Sequence, residues 1–256
     1  MIITRKAWTK YITILRRLNE RATDDVTQYM NKLRIDGFEG EEGAKLLVDY
    51  AYGVATKYGE GAAAASCEMY DAVAALSGAK VKPAVPAATA TRADVSKAVY
   101  GTINMKDEVL PSAIARLVKR AGADTTIKNA IRDKAEWAWV PNGDTCSFCI
   151  ALASQGWMPA SKDQLDGGHA EHIHSNCDCT FAIRFNGDMD VAGYDPEKYR
   201  DMYYSADPGG SSKDKINAMR REAYQENKDK INAQKRDAYE KRKERESSEA
   251  EEINVG

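Results

Sequence analysis

The chain has 256 residues, 43% of them apolar and 30% charged, with a formal net charge of −2. That length supports one or two domains with a sizeable core. No run of about 18 apolar residues marks a membrane span, and Met1–Lys10 lacks the apolar stretch of a secretory signal, so a cytoplasmic start without membrane partners is expected. The near-neutral total hides an imbalance: Lys213–Glu246 holds 12 Lys/Arg against 8 Asp/Glu, so attraction to nucleic acid is expected from this tail.

From about Arg5 to Leu33, Trp8, Tyr11, Ile12, Leu15, Leu18, Val26, Tyr29, Met30 and Leu33 recur three or four apart, the spacing of one helix face. A second helical stretch, about Glu41 to Leu76, follows the Asp36–Gly40 punctuation, and the two are expected to pack antiparallel. Gly53, Gly59 and Gly61 predict a break or a close helix contact in the second. Residues 1–77 are therefore read as a long-helix region. Gly78–Thr91, with two prolines and almost no large apolar group, reads as a mobile linker over 78–91.

Helical patterns are then predicted at Ala93–Met105, Ser112–Ala121 and Thr125–Trp139, with Gly122 closing the middle one. Trp137 and Trp139 are expected to pack. Residues 92–206 make up the core of this reading, and 207–256 a charged tail in which KDKINAMRREAYQEN (213–227) is followed by KDKINAQKRDAYEKR (228–242). Its few apolar positions predict a helix that orders fully only against a partner.

Four of the five cysteines lie between positions 146 and 179. Cys146 and Cys149 form a C-x2-C pair, and His174, Cys177 and Cys179 an H-x2-C-x-C cluster. Cysteine and histidine in two such clusters are suited to tetrahedral zinc, because a short turn places two sulfurs on one ion and the second cluster closes the shell. The expected ligands are Cys146, Cys149, Cys177 and Cys179, with His174 as the substitute. His169 and His172 are read as exposed loop residues, and Cys67 as a packing residue. Buried thiols, a disulfide and a redox C-x2-C are the competing readings, although no βαβ pattern surrounds the pair. A short helix is expected at Ile150–Gln155, ended by Gly156, and a strand at Thr180–Phe185. A hydrolytic centre built from His169, His172 and His174 with Glu171 or Asp178 would be open to water, unlike four thiolates.

The run VPNGDTCSFCIALASQGW (140–157), followed by HIHSNCDCTFAIRF (172–185) and preceded by IRDKAEWAWVP (131–141), resembles the Mu F-like minor head proteins of tailed bacteriophages. The specific part of the likeness spans 131–185, and the histidine cluster departs from the family's usual pattern. The resemblance implies a non-enzymatic minor capsid protein in head morphogenesis, inside the virion, associated with the portal protein and with major capsid or scaffolding protein. It also implies non-specific contact with packaged double-stranded DNA through the Lys/Arg-rich tail. A zinc-dependent DNA-binding protein and a metal-dependent nuclease are the alternatives.

The fold class expected is mainly α: long N-terminal helices, a helical middle domain, a small α+β zinc-binding module at 141–185, and an extended helical C-terminal tail.

Overall fold

The computed structural model describes residues 2–102, 105–142, 147–161, 179–187 and 189–205. Residues Met1–Tyr203 form one compact unit and Tyr204–Gly256 a second, of which only the end of one helix is described. The expected tail helix at 207–256 thus lies outside the described residues. The described part is mainly helical with two small sheets. None of its helices is long and apolar enough to cross a membrane.

Helix α1 (Arg5–Ile35) begins where the Thr4 side chain accepts a hydrogen bond from the Ala7 amide, satisfying one of the otherwise unpaired first-turn donors. Lys32 and Arg34 in its last turn complement the negative end of the helix. Helix α2 (Gly40–Ser77) ends at Gly78, whose φ of 67° lets the Gly78 and Ala79 amides turn back onto Ala75 and Ala74 carbonyls. The two run antiparallel, as expected: Tyr11 meets Ser66, Leu18 meets Gly61, Asp25 meets Tyr58, and Tyr29 stacks on Tyr50 at 3.9 Å.

Of the two outcomes foreseen for the α2 glycines, the structure shows close contact without a break. A Cβ on Gly61 would lie 3.1 Å from the Leu18 side chain, and one on Gly59 would lie 3.1 Å from Thr89. The missing side chains let α2 approach its neighbours closely.

Helix α3 (Arg92–Thr102) leads to α4 (Val109–Asp133). Two sequence expectations are corrected here. Gly122 does not close a helix; α4 passes straight through it, because a Cβ there would stand 3.0 Å from the Ser66 hydroxyl and 3.3 Å from the Ala62 carbonyl of α2. Nor does a helix continue to Trp139. Lys134 turns left-handed at φ 56° and ends α4, and Glu136–Val140 is strand β2.

β2 is the centre of an antiparallel three-stranded sheet, between β3 (Met158–Pro159) and β4 (Thr180–Arg184). Its last four residues are all buried, as expected of a strand covered on both faces. The foreseen strand at 180–185 is therefore present. The foreseen short helix is also present as α5 (Ser147–Ala153), followed by Gly156 at φ 70°. Strand β1 (Ile2–Ile3) pairs in parallel with β5 (Asp190–Val191), and α6 (Pro196–Ser205) follows.

Segment 78–91, read from composition as a mobile linker, is instead tied to α2 and α4. Asn129 both donates to the Val85 carbonyl, at 2.8 Å, and accepts from the Val85 amide, at 2.9 Å. Thr125 accepts from the Ala87 amide, Asp71 accepts from the Ala84 amide, and Arg132 donates to the Lys82 and Pro83 carbonyls. Thr125, Asn129 and Arg132 stand three or four apart, so one α4 face supplies the polar partners that an extended strand would find in a sheet.

Arg132 also grips Asp133 through two hydrogen bonds of 2.8 and 2.6 Å, and the Tyr70 hydroxyl donates to Asp133 at 2.8 Å. The Arg132 guanidinium holds the Asp133 carboxyl below the usual carboxylate range, against the opposing effect of burial and with help from Tyr70. Burial pushes the Tyr70 phenol up, and the adjacent carboxylate pushes it further.

Replacing the buried Asn129 with Ala is expected to destabilise the unit by about 1–2 kcal/mol, because it removes the two hydrogen bonds that hold Val85 to α4. Denaturant unfolding measures this, and limited proteolysis within 78–91 should accelerate. Because the Asp133 carboxyl titrates lower folded than unfolded, its contribution is complete above the ordinary value of 3.8 and is lost as pH falls through its depressed folded value. Denaturant midpoints should therefore decline below about pH 4, and less steeply in Asp133→Asn.

Candidate metal centre

One described cysteine from each half of the Cys/His constellation, Cys149 and Cys179, belongs to a single apolar cluster around the sheet. β2 and β4 are paired from Glu136↔Arg184 to Val140↔Thr180. Beyond Val140 the chain proceeds to the C-x2-C pair, and immediately before Thr180 it comes from the H-x2-C-x-C cluster.

Of the five expected ligands, Cys149 and Cys179 are described. Both belong to the same apolar cluster as Trp137, Trp139 and Phe181, at 0% and 9% exposure. Cys149 sits on α5, which packs on β2, and Cys179 directly precedes β4. Cys146, Cys177 and His174 lie outside the described residues, as do His169, His172, Glu171 and Asp178. Among the described residues, no three His, Cys, Asp or Glu side chains gather as a metal site.

The chemistry of the two described thiols suits a soft cation. A thiolate in apolar surroundings is costly without a compensating charge, and zinc supplies that charge while replacing the lost solvation with Zn–S bonds. A neutral thiol suits the same place. Either way these sulfurs are parts of the core, shielded from bulk solvent.

The walls around them are built by aromatic packing and a few long-range hydrogen bonds. Phe181 stands edge-on to both Trp137 and Trp139, each ring 4.8 Å away. The expectation that these tryptophans pack is met. The Trp8 indole on α1 donates to the Asn142 side-chain oxygen at 2.9 Å, and the Asn142 amide group donates to the Val140 carbonyl at 3.0 Å, fixing the turn that follows β2.

On the other side the Tyr194 hydroxyl donates to the Ala153 carbonyl at 2.9 Å and so anchors the end of α5. Tyr194 stacks with Tyr199 of α6 at 6.1 Å. Burial raises the Tyr199 phenol, and the Cys179 thiol raises it further. Tyr194 and Tyr199 therefore link the α5 side to the β4 side. No local sequence signal marks them, since both lie beyond the motif.

β3 closes the outer edge. Arg184 donates to Glu136 at 2.5 Å across the β2–β4 pair and lies over the Trp157 ring at 4.7 Å, while the Trp157 indole donates to Asp190 at 3.0 Å. Cys67 is elsewhere, half-buried on α2, where burial and Asp71 raise its thiol. Its role as a helix packing residue agrees with that position.

No curated protein and no solved structure matches the chain. A family model described as VG15 protein matches residues 2–206, which includes the whole 131–185 motif and every described element of the first unit. The chain therefore belongs to the VG15 family, a viral, phage gene-product family.

Proposed function

We propose that this phage protein is a non-enzymatic minor head component whose 141–185 module is closed by a structural zinc ion. The observation that carries the phage part is the family match over residues 2–206. The minor-head part rests on the Mu F-like motif at 131–185, and the zinc part on the burial of Cys149 and Cys179 in one cluster at the paired ends of β2 and β4.

Cys146, Cys149, Cys177 and Cys179 would hold the ion, with His174 able to take the place of one cysteine. Zinc with four protein ligands supplies a crosslink and leaves no position for water, so its contribution is to stability. A crosslink here would join the segment after β2, which carries Cys146 and Cys149, to the segment before β4, which carries Cys177 and Cys179. The partners of this reading are the portal protein, major capsid or scaffolding protein, and packaged double-stranded DNA, all within the virion.

Elemental analysis of the purified chain should give about one zinc per molecule, in keeping with a single four-ligand site. Cys146→Ser and Cys177→Ser should each lose most of it, and a chelator should cost several kcal/mol of stability. A metal-free protein of undiminished stability would eliminate the zinc staple. Independently, the protein expressed in infected cells should co-sediment with procapsids and be recovered with the portal. Its absence from both would end the head assignment whatever the metal content.

A further inference from the structure

Helix α1 carries an unusual charge arrangement that neither the cysteine module nor the tail accounts for. From Arg5 onward it contains no acid until Glu20, and none in its first turn, where Arg5 and Lys6 stand instead. Helix N-termini favour acids, because the unpaired amides there create a positive field. Through Arg21 the helix has six bases against one acid, while α2 has six acids against two bases.

Four of these cations form a stripe. Lys6, Lys10, Arg17 and Arg21 are all exposed, and at 100° per residue they fall within a sector of about 60° along about 22 Å of helix. Lys6/Lys10 and Arg17/Arg21 are like-charge pairs four residues apart, which repel each other. Among the described residues none of the four enters an ion pair. Glu20, on the edge of the stripe, engages Arg16 at 3.7 Å, and the exposed Asp24 closes the stripe at its far end without an ion pair to Arg21. Lys6 stands at the helix end that disfavours cations, and the two like-charge pairs have no ion-pair partner among the described residues, an arrangement that an external polyanion relieves.

We propose that the Lys6, Lys10, Arg17 and Arg21 stripe is a docking surface for the phosphate backbone of duplex DNA. Duplex DNA presents one charge per about 1.7 Å of axis, so a stripe of this length meets more phosphates than it has cations and needs no register with the bases. Binding is therefore independent of sequence. An anionic membrane is the poorer occupant: interfacial helices insert an apolar face, and the apolar residues of α1, Trp8, Tyr11, Ala22 and Val26, are already buried within the unit. The choice of duplex DNA as the polyanion rests on the phage reading above; the existence of the cationic surface does not.

The test measures binding of the full-length protein to two duplexes of unrelated sequence, by fluorescence anisotropy across a salt series, with phosphatidylglycerol vesicles as the competing polyanion. Four neutralised phosphates give a slope of about −3.6 in log affinity against log salt, on the order of 100-fold between 50 and 200 mM. A variant with Lys6, Lys10, Arg17 and Arg21 all changed to Gln, which has similar helix propensity, should keep its Tm and bind both duplexes more weakly. Its salt slope should be shallower by about 3 to 4.

A second variant, with Lys213, Lys215, Arg220 and Arg221 changed to Gln, measures what the tail adds and should retain the stripe's share of the slope. Unchanged DNA affinity and slope in the stripe variant would overturn the proposal, as would stripe-dependent binding to the vesicles that exceeds binding to either duplex. Procapsid association by a stripe variant with unchanged DNA binding would remove the DNA surface and leave the head-protein reading standing. Stripe-dependent DNA binding by a protein absent from procapsids would support the surface and remove that reading.

Discussion

Four elements of the first unit meet at a single buried phenol. The Tyr11 hydroxyl of α1 shares a 3.0 Å hydrogen bond with the Ser66 hydroxyl of α2, and the hydroxyls of Thr180 on β4 and Thr126 on α4 are near enough to pull its pKa down. Burial raises the phenol against the pull of these three hydroxyls. A polar group taken out of water is costly unless its hydrogen bonds are replaced, so these elements must arrive in mutual register for the core to close. Gly122 is part of the same constraint: its bare Cα lets α4 approach Ser66 closely.

That register fixes the surroundings of the cysteines. Thr180 opens β4 and directly follows Cys179, so the packing around the phenol positions Cys179 relative to the helical bundle. Trp8, one turn before Tyr11, reaches the Asn142 turn that leads to the first cluster. Helix α1 thus touches both edges of the module, one through each aromatic residue. The bundle and the small sheet are mechanically one body, and the same helix that braces the module on its inner face presents the basic stripe to solvent.

What was legible in the sequence was periodic and local. The three- and four-residue spacing of Trp8, Tyr11, Leu15 and Val26 marked α1, and Thr180–Phe185 alternated like the strand it becomes. The elements misread were those decided by distant partners. Trp137 and Trp139 extend a helical pattern on paper, yet Lys134 turns left-handed and the two rings pack about Phe181, forty residues on. Segment 78–91 has the composition of a linker because its order comes from the side chains of Thr125, Asn129 and Arg132 on another element, which no local pattern records. Of the candidate site, Cys149 and Cys179 were identifiable from spacing alone, whereas Tyr194 and Tyr199 were invisible without the fold. The stripe on α1 escaped notice for a different reason: the acids of α2 cancel it in any sum taken over the whole domain.

The parallel pairing of Ile2–Ile3 with Asp190–Val191 sets a condition on how the chain is made. Ile3 is fully buried and its carbonyl accepts from the Ala192 amide, so this segment is locked by one synthesised nearly two hundred residues later. Closing so large a loop is entropically unfavourable until most of the intervening contacts exist. During translation α1 and α2 can form and pair, but the edge beside Trp8 stays open until β5 has left the ribosome. Completion of the unit thereby waits on the last turn of sequence before α6.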